Sequence, residues 1–204
     1  VEMKELIEER TGAKPGTVGG FFTINPRVDD LPERFSVLHD GVRLLEMGSV
    51  ESGGSGCICP ESAMLHTLFT NLLFRKDEVL LFDMYAGVEH LGRATVDFVD
   101  AMLVVVEPTQ RSLVTASRIE KLAHDIGLVQ MCRPANRVRT EDDLAFIRDQ
   151  AGAAPLLGHL PEDAGVGEAD RRGVPVYGAV AGLREAAGKL ADALEQAVAV
   201  KQEG

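Results

Sequence analysis

The sequence alternates short apolar runs with longer amphipathic segments, and this alternation limits the possible folds more than any other feature. The apolar runs have the length of strands and end in polar residues, glycine or proline; they are 42–47, 79–82, 101–106, 128–132 and 156–160. Runs that are apolar at successive positions are typical of parallel strands that are buried on both faces. The sequence therefore predicts a parallel sheet.

The segments beside these runs have helical periodicity. Apolar residues recur at spacings of three and four in 61–75 and 111–126, and Thr140 is a predicted N-cap for a helix in 140–150. The Ala/Leu-rich segment 182–200 predicts a last helix. Strands that alternate with helices predict an α/β fold, with a doubly wound, mostly parallel sheet that has helices on both faces.

The chain has 204 residues, a length that fits a single domain, so we predict one domain over 1–204. Segment 12–40 departs from the regular pattern, because Pro26 and Pro32 interrupt a stretch with strand and turn character. We predict that 12–40 is an irregular or hairpin excursion from this domain.

The charge balance limits the partners that the chain can bind. Asp and Glu number 32 and Lys and Arg number 21, which gives a net charge of −11. Nucleic acids and anionic membranes attract proteins with dense Lys and Arg, so neither is an expected partner. No apolar run approaches the roughly 20 residues of a membrane helix, and the N-terminal segment has no signal-peptide pattern. We therefore expect a cytoplasmic protein.

In doubly wound sheets, ligands bind at the carboxyl ends of the strands. The predicted strand 79–82 ends at Asp83, and Gly87 follows in the segment DMYAGVEH. An aspartate at this place can hold Mg²⁺ through water opposite a nucleotide phosphate, and a glycine lets the backbone approach the γ-phosphate closely. Alternatively, Asp83 caps the turn after a buried strand.

Two cysteines lie in a glycine-rich segment, GGSGCICP. Cys57 and Cys59 are two positions apart, so on an extended backbone both thiols point to the same side. Two thiolates supply half of a tetrahedral site, and a second copy related by two-fold symmetry supplies the other half. Thiolates favour Zn²⁺ or a similar thiophilic ion, with Ni²⁺ as a second candidate. Alternatively, the two cysteines are small buried residues.

Two further strand ends carry candidate nucleotide contacts. Asn136 and Arg137 lie in the segment PANRV, and an amide side chain can both donate to and accept from an adenine edge. Pro161, Glu162 and Asp163 follow the last apolar run and can flank a purine. Both segments also suit ordinary turns.

Taken together, five segments resemble the CooC-type nickel-insertion ATPases, which mature carbon monoxide dehydrogenase and belong to the MinD/ParA-like branch of P-loop NTPases. These segments are GCICP, DMYAGVEHLGR, VVVEPTQRSL, ANRV and LPEDAGVGEADRRGVPV. The resemblance covers the chain from about Val1 to about Gly188. The cysteine pair distinguishes the CooC type from MinD and ParA proteins, which lack it.

The resemblance implies a function for several of these residues. Asp83 matches the Walker B aspartate, and Gly87 lies in the segment that senses the γ-phosphate. Asn136 matches the asparagine that contacts adenine, with Arg137 beside it, and 161–163 matches the loop on the other side of the base.

The resemblance also implies cofactors and partners. ATP or ADP binds with Mg²⁺, and Cys57 and Cys59 hold Ni²⁺ or Zn²⁺ between the two subunits of a homodimer. The family delivers nickel to carbon monoxide dehydrogenase or a related nickel enzyme.

The phosphate-binding motif of these ATPases, GKGGxGK[ST], is absent from the 204 residues. It requires a lysine followed by Ser or Thr, and no lysine here has either residue next. We therefore expect a nucleotide-binding-type domain that is incomplete at its N-terminus, without the first strand and the P-loop. Positioning and electrostatics dominate phosphoryl transfer, so we expect that this chain alone does not hydrolyse ATP.

Two other functions remain open. One is a non-enzymatic metal-binding or regulatory module. The other is a MinD/ParA-type positioning ATPase, which would need a basic DNA-binding surface or an amphipathic membrane tail. The net charge opposes the first of these requirements, and the Ala-rich segment 186–200 lacks the basic and bulky apolar residues of the second.

Overall fold

The computed structural model describes residues 3–12, 23, 26–28, 30–46, 67–68, 78–83, 99–128, 130–150, 152 and 154–202. The chain divides into two compact units, Val1–Asp83 and Met84–Gly204. None of the helices within the described residues is both long and apolar enough to cross a bilayer. The single domain and the excursion over 12–40 stay predictions, and much of 12–40 lies outside the described residues.

The first unit begins with helices α1 (Met3–Thr11) and α2 (Leu31–Phe35). Their small apolar core consists of Leu6, Val28, Leu31 and Leu68. Arg10 and Arg34 each donate a hydrogen bond of 2.8 Å to Oδ2 of Asp30, which joins α1 to the start of α2. The Arg34 guanidinium, and then that of Arg10, hold the pKa of Asp30 below its usual value.

A β-hairpin follows, formed by β1 (Val37–His39) and antiparallel β2 (Val42–Leu44). The turn residues Asp40 and Gly41 have φ of 48° and 82°, in the left-handed region that two-residue type I′ turns require. Every residue of both strands is exposed. The prediction of a buried parallel strand over 42–47 is therefore wrong, because the Asp-Gly turn pairs this run with the residues just before it.

The apolar run 79–82 is not a strand within the described structure. Val79 and Leu81 expose 79% and 78% of their surface, so the predicted burial of this run is also wrong. Apolar periodicity identifies a run that could be buried, but burial depends on the neighbouring elements, which the run itself does not specify.

The second unit is built on a parallel sheet whose strands lie in the order β3-β4-β5. The strands are β3 (Met102–Leu103), β4 (Met131–Val138) and β5 (Leu156–Pro161). A further bridge joins Val106 to Ala135, which extends the pairing of the first two strands. Strand β5 confirms the strand predicted over 156–160. The strand predicted over 101–106 is confirmed in part: it pairs in parallel, but Leu103 and Val105 are exposed, so it is not buried on both faces.

Strand β4 begins and ends later than the prediction of 128–132. Proline was expected to end this strand, since it lacks the N–H that a central strand donates. Instead, the Pro134 carbonyl accepts a hydrogen bond of 3.0 Å from Val106, and the strand continues. The burial of Ala135 and Val138 in the core stabilises the strand beyond the proline.

Five helices of the second unit are described: α3 (Gln110–Asp125), α4 (Glu141–Asp149), α5 (Ala164–Arg171), α6 (Val176–Ala179) and α7 (Ala181–Gln202). The helices predicted in 111–126, 140–150 and 182–200 are confirmed. Thr140 caps α4 in a capping box: its hydroxyl accepts from the Asp143 N–H, and the Asp143 carboxylate accepts from the Thr140 N–H. The predicted helix over 61–75 lies outside the described residues except for Thr67 and Leu68, which are helical.

Helices cover both faces of the sheet. On one face, α3 and α4 pack against the strands in a core of Val104, Val106, Leu113, Ala116, Ala135, Val138, Leu144 and Ile147. On the other face lies α7, where Gln130 donates to the Ala197 carbonyl at 3.3 Å. A Cβ on Gly158 would lie 2.8 Å from Cδ2 of Leu190, so this glycine permits the close approach of α7. The predicted α/β fold is confirmed.

An irregularity in β5 explains why Leu156 and Gly158, two positions apart, face opposite sides of the sheet. Arg133 pairs with Leu156, but the next residue, Pro134, pairs with Gly158, so β5 has one extra residue here. Such a bulge reverses the side to which later side chains point. Leu156 therefore packs against the α3–α4 core, whereas Gly158 faces α7.

A buried ion pair joins β4 to α3. The side chains of Arg133 and Glu120 are only 1% and 5% exposed. Nε and Nη2 of Arg133 donate to the two carboxylate oxygens of Glu120, the second bond at 2.7 Å, and Nη1 donates to the Gln150 carbonyl at 3.3 Å. A Cβ on Gly152 would lie 2.6 Å from Nη2 of Arg133, so a glycine there leaves room for the pair.

Candidate functional site

The parallel strands bring three chain segments to one edge of the sheet, where their carboxyl ends lie. Glu107 follows β3, Asn136 and Arg137 lie near the end of β4, and Pro161 ends β5. We define the strand-end site as Glu107, Asn136, Arg137, Arg139 and the segment 161–163. This edge is the usual ligand-binding edge of doubly wound sheets.

Helix α3 begins a few residues after the Val106 bridge. The Thr109 hydroxyl caps this helix by accepting a hydrogen bond of 3.2 Å from the Ser112 N–H. The Glu107 N–H in turn donates to the Ser112 hydroxyl at 2.9 Å. These bonds anchor the backbone of Glu107 at the start of α3 and leave its carboxylate at the strand-end site.

The side chain of Asn136 offers an amide at this edge. Its backbone N–H donates to the Val106 carbonyl at 2.7 Å, which anchors the residue to β3. Its half-buried side-chain amide forms no hydrogen bond with any other described residue. A free amide offers one acceptor and two donors, the groups that pair with an adenine edge.

Arg137 follows in an uncommon backbone conformation. Its φ is 55°, and a non-glycine residue in this left-handed region typically costs on the order of 1–3 kcal/mol. The pairing between β4 and β5 is irregular from Ala135 to Val138, so Asn136 and Arg137 form a bulge. Nη1 of Arg137 lies 3.5 Å from Oε1 of Glu107. A bulge can change the direction in which its side chains point.

Glu162 continues the β4–β5 pairing and forms an ion pair. Its backbone N–H donates to the Val138 carbonyl at 2.9 Å. Its two carboxylate oxygens accept from Nε and Nη2 of Arg139, the second bond at 3.0 Å. The Arg139 guanidinium holds the pKa of Glu162 below its usual value, and Glu162 raises the pKa of Arg139. Both groups are therefore charged at neutral pH.

Asp163 begins the next helix. Its Oδ1 accepts a hydrogen bond of 2.7 Å from the Gly165 N–H, which makes it the N-cap of α5. One of its carboxylate oxygens is therefore engaged in positioning the helix. The segment 161–163 accordingly has one end in β5 and the other at a helix cap, which restrains its backbone at both ends.

The structure brings together the five residues predicted for nucleotide binding: Asn136, Arg137, Pro161, Glu162 and Asp163. Asp83 is described as an exposed residue of the first unit, and its catalytic function stays a prediction. Gly87, Cys57 and Cys59 lie outside the described residues. Among the described residues, no group of three or more His, Cys, Asp or Glu side chains is arranged to hold a metal ion.

Cys132 is a free cysteine, buried in β4. Burial raises the pKa of its thiol, so the thiol is protonated and unreactive at neutral pH. Cys132 is therefore a core residue, distinct from the pair Cys57 and Cys59.

Sequence reasoning assigned no role to two residues of the site: Glu107, which lies at a predicted strand end, and Arg139, which was missed. Glu107 pairs with Arg137 near the end of β4, and Arg139 pairs with Glu162, which follows β5. Opposite charges at or just after the ends of adjacent parallel strands were the available signal, since parallel pairing brings such positions together.

Comparison with known proteins agrees with the resemblance. The chain is 44% identical over 201 residues to the carbon monoxide dehydrogenase accessory protein CooC of Rhodospirillum rubrum. The aligned residues cover 98% of this chain and 76% of that protein. The chain is 46% identical over 175 residues to an uncharacterized ATP-binding protein of Methanocaldococcus jannaschii, and these cover 84% of this chain and 68% of that protein.

Other comparisons add less. The MinD cell division protein of Aquifex aeolicus matches with a TM-score of 0.41 and 22% identity, over 54% of this chain and 50% of that one. No protein-family model matches the chain. The identity to the Rhodospirillum rubrum protein extends over nearly the whole chain and is not confined to a few motifs. The chain belongs to the family of the CooC accessory proteins.

Proposed function

We propose that the chain is a cytoplasmic, nucleotide-binding accessory protein that inserts nickel into carbon monoxide dehydrogenase or a related nickel enzyme. The 44% identity to CooC supports the target enzyme, and the ATP-binding relative supports the nucleotide. The observation that carries the nucleotide part is the Asn136 amide at the carboxyl edge of the sheet, which forms no hydrogen bond with the part of the chain that the structure describes.

In this proposal, the strand-end site holds the adenine base of ATP or ADP. The Asn136 amide donates to and accepts from the base edge, and the segment 161–163 lies on the other side of the base. Arg137 is 66% exposed and its contact with Glu107 is a single one of 3.5 Å, so its guanidinium can turn towards the ligand. Asp83 would hold Mg²⁺ and Gly87 would sense the γ-phosphate, as the resemblance implies.

Asn136→Ala should weaken ADP binding by roughly tenfold, because each good bidentate contact to a base contributes about 1–3 kcal/mol of discrimination. Isothermal titration calorimetry with ADP and GDP, on the protein produced from its complete gene, measures this effect. Asn136→Asp is the matched control: it keeps the shape and the acceptors but removes the donors, so it should lose the preference for adenine over guanine. Unchanged ADP affinity in both variants would contradict the proposed base site.

The metal part of the proposal places Ni²⁺, as cargo, between two subunits. Cys57 and Cys59 of each subunit supply two thiolates, and a homodimer completes a tetrahedral set of four. Zn²⁺ fits the same ligands. Because metal binding and association are coupled here, the metal-free protein should dimerise less strongly than the loaded protein.

Equilibrium dialysis against Ni²⁺ or Zn²⁺ should give about one tightly bound ion per dimer. The double variant Cys57→Ser/Cys59→Ser should lose this ion and, in sedimentation velocity, the metal-dependent dimer. Cys132→Ala is the matched control, since it removes the third cysteine and should keep the ion. Equal metal uptake by the double variant and the unmodified protein would refute the site.

A further inference from the structure

Two ion pairs connect the three strand ends, and their geometries differ. Arg137 reaches Glu107 through a single contact of 3.5 Å. Arg139 donates two hydrogen bonds, from two nitrogens, to the two carboxylate oxygens of Glu162. A planar guanidinium that binds a carboxylate with two parallel bonds fixes direction as well as distance. The second pair therefore restrains the end of β5, whereas the first leaves Arg137 adaptable.

Arg139 is itself held in place by its backbone. Its N–H donates to Oδ2 of Asp143 at 2.8 Å, and the same oxygen accepts from the Thr140 N–H in the capping box of α4. The residue is thus fixed where β4 ends and α4 begins. Its side chain spans from this point to the end of β5.

The backbone pairing between the two sides of the proposed base site is irregular. The bulge at Asn136 and Arg137 interrupts the pairing of β4 with β5. Beyond it, the Glu162 N–H donates a hydrogen bond of 2.9 Å to the Val138 carbonyl, which joins the two strand ends. The side-chain pair is a second link, formed at the same residue.

We infer that Arg139 is a positioning residue: through Glu162, it holds the segment 161–163 at a fixed distance from the Asn136 amide and so sets the preference for an adenine base. This inference rests on the proposed nucleotide function. Arg139 does not itself need to touch the ligand.

The pair is suited to positioning and contributes little to stability. The side chains of Arg139 and Glu162 are 69% and 40% exposed, and exposed ion pairs add little to the free energy of unfolding. Arg137 and Asp143 also act on the Glu162 carboxylate, the first lowering and the second raising its pKa. A variant of Arg139 should therefore fold normally and still bind its ligand differently.

Calorimetry with ADP and GDP, on the protein produced from its complete gene, tests the inference together with thermal melting. Arg139→Met should raise the Kd for ADP by roughly tenfold, the lower end of the loss in affinity seen when a group that orients a metal ligand is removed. It should reduce the preference for ADP over GDP and leave the melting temperature unchanged. Arg139→Lys should raise the Kd for ADP almost as much, since lysine cannot form two parallel hydrogen bonds with a carboxylate.

A double-mutant cycle tests whether Arg139 affects ADP binding through Glu162. Glu162→Gln should match Arg139→Met, and the double variant should be no worse than either single one, because both remove the same pair. Arg171→Met is the control: it removes another exposed Arg–Glu pair, the 2.8 Å contact with Glu168 on α5, and should change neither Kd.

The outcomes separate the two proposals. If the unmodified protein binds no ADP, the proposed nucleotide function fails and the inference fails with it. If the unmodified protein binds ADP but Arg139→Met keeps its affinity and base preference, the inference is wrong and the function stands. Additive effects of Arg139→Met and Glu162→Gln would also overturn it.

Discussion

Glu120→Ala should lower the free energy of unfolding by about 3–5 kcal/mol, because it leaves the Arg133 guanidinium buried without its carboxylate. The Arg133 side chain is 1% exposed, so water cannot replace the lost partner without opening the core. The remaining hydrogen bonds of Arg133 have neutral acceptors and are long: the Gln150 carbonyl lies at 3.3 Å and the Ser117 hydroxyl at 3.5 Å. Urea unfolding followed by circular dichroism measures the change.

The double variant Glu120→Leu/Arg133→Met is the informative control for this prediction. Replacing both partners of a buried pair with apolar residues of similar volume is often neutral or stabilising. We therefore expect the double variant to recover most of the stability that Glu120→Ala loses. If Glu120→Ala unfolds at the same urea concentration as the unmodified protein, the pair does not hold β4 against α3 as described.

Ile147→Ala should cost about 3 kcal/mol, within the range for removing a large aliphatic side chain from a packed core. Ile147 lies on α4, is 1% exposed, and belongs to the core between the sheet and helices α3 and α4. The loss combines the transfer of the missing methyl groups with the cavity that remains. Thermal and urea unfolding should both show it.

Two matched variants calibrate this second prediction. Ile147→Val removes one methylene and should cost about 1 kcal/mol. Val114→Ala changes a residue of α3 that is 42% exposed and should alter the free energy of unfolding by less than about 0.5 kcal/mol. Equal losses for Ile147→Ala and Val114→Ala would contradict the assignment of this core.

The helices of the second unit could be predicted because their signals are local. Thr140 and Asp143 are three residues apart, which is the spacing of a capping box, and the structure contains that box. The apolar periodicity of α3 and α7 likewise depends only on residues within one helix. For such elements, a short stretch of sequence contains nearly all of the information that determines the structure.

The strands were predicted less well because pairing is not local. The run 42–47 has the composition of a buried parallel strand, yet Asp40 and Gly41 turn it into the second strand of an exposed hairpin. Pro134 was expected to end a strand that in fact continues to Val138. In both cases the pairing with a neighbouring strand determined the structure, and composition does not specify which segment that neighbour is.

The sequence by itself determined the family and the five residues that the structure gathers at the carboxyl edge of the sheet. Polar residues after an apolar run mark a candidate strand end, and ligands of doubly wound sheets bind at strand ends. Asn136 and Glu162 could therefore be chosen from the sequence, even though β4 extends past Asn136 to Val138.

Only the tertiary structure decided which charged side chains pair with one another. Arg133 is charged, and the sequence offers no reason to bury it; the position of Glu120 on α3 permits its burial. The pairing of Arg139 with Glu162 depends on the register of β4 against β5 and on a bulge within it. Register and bulges arise from contacts between segments distant in the chain, so no local pattern specifies them.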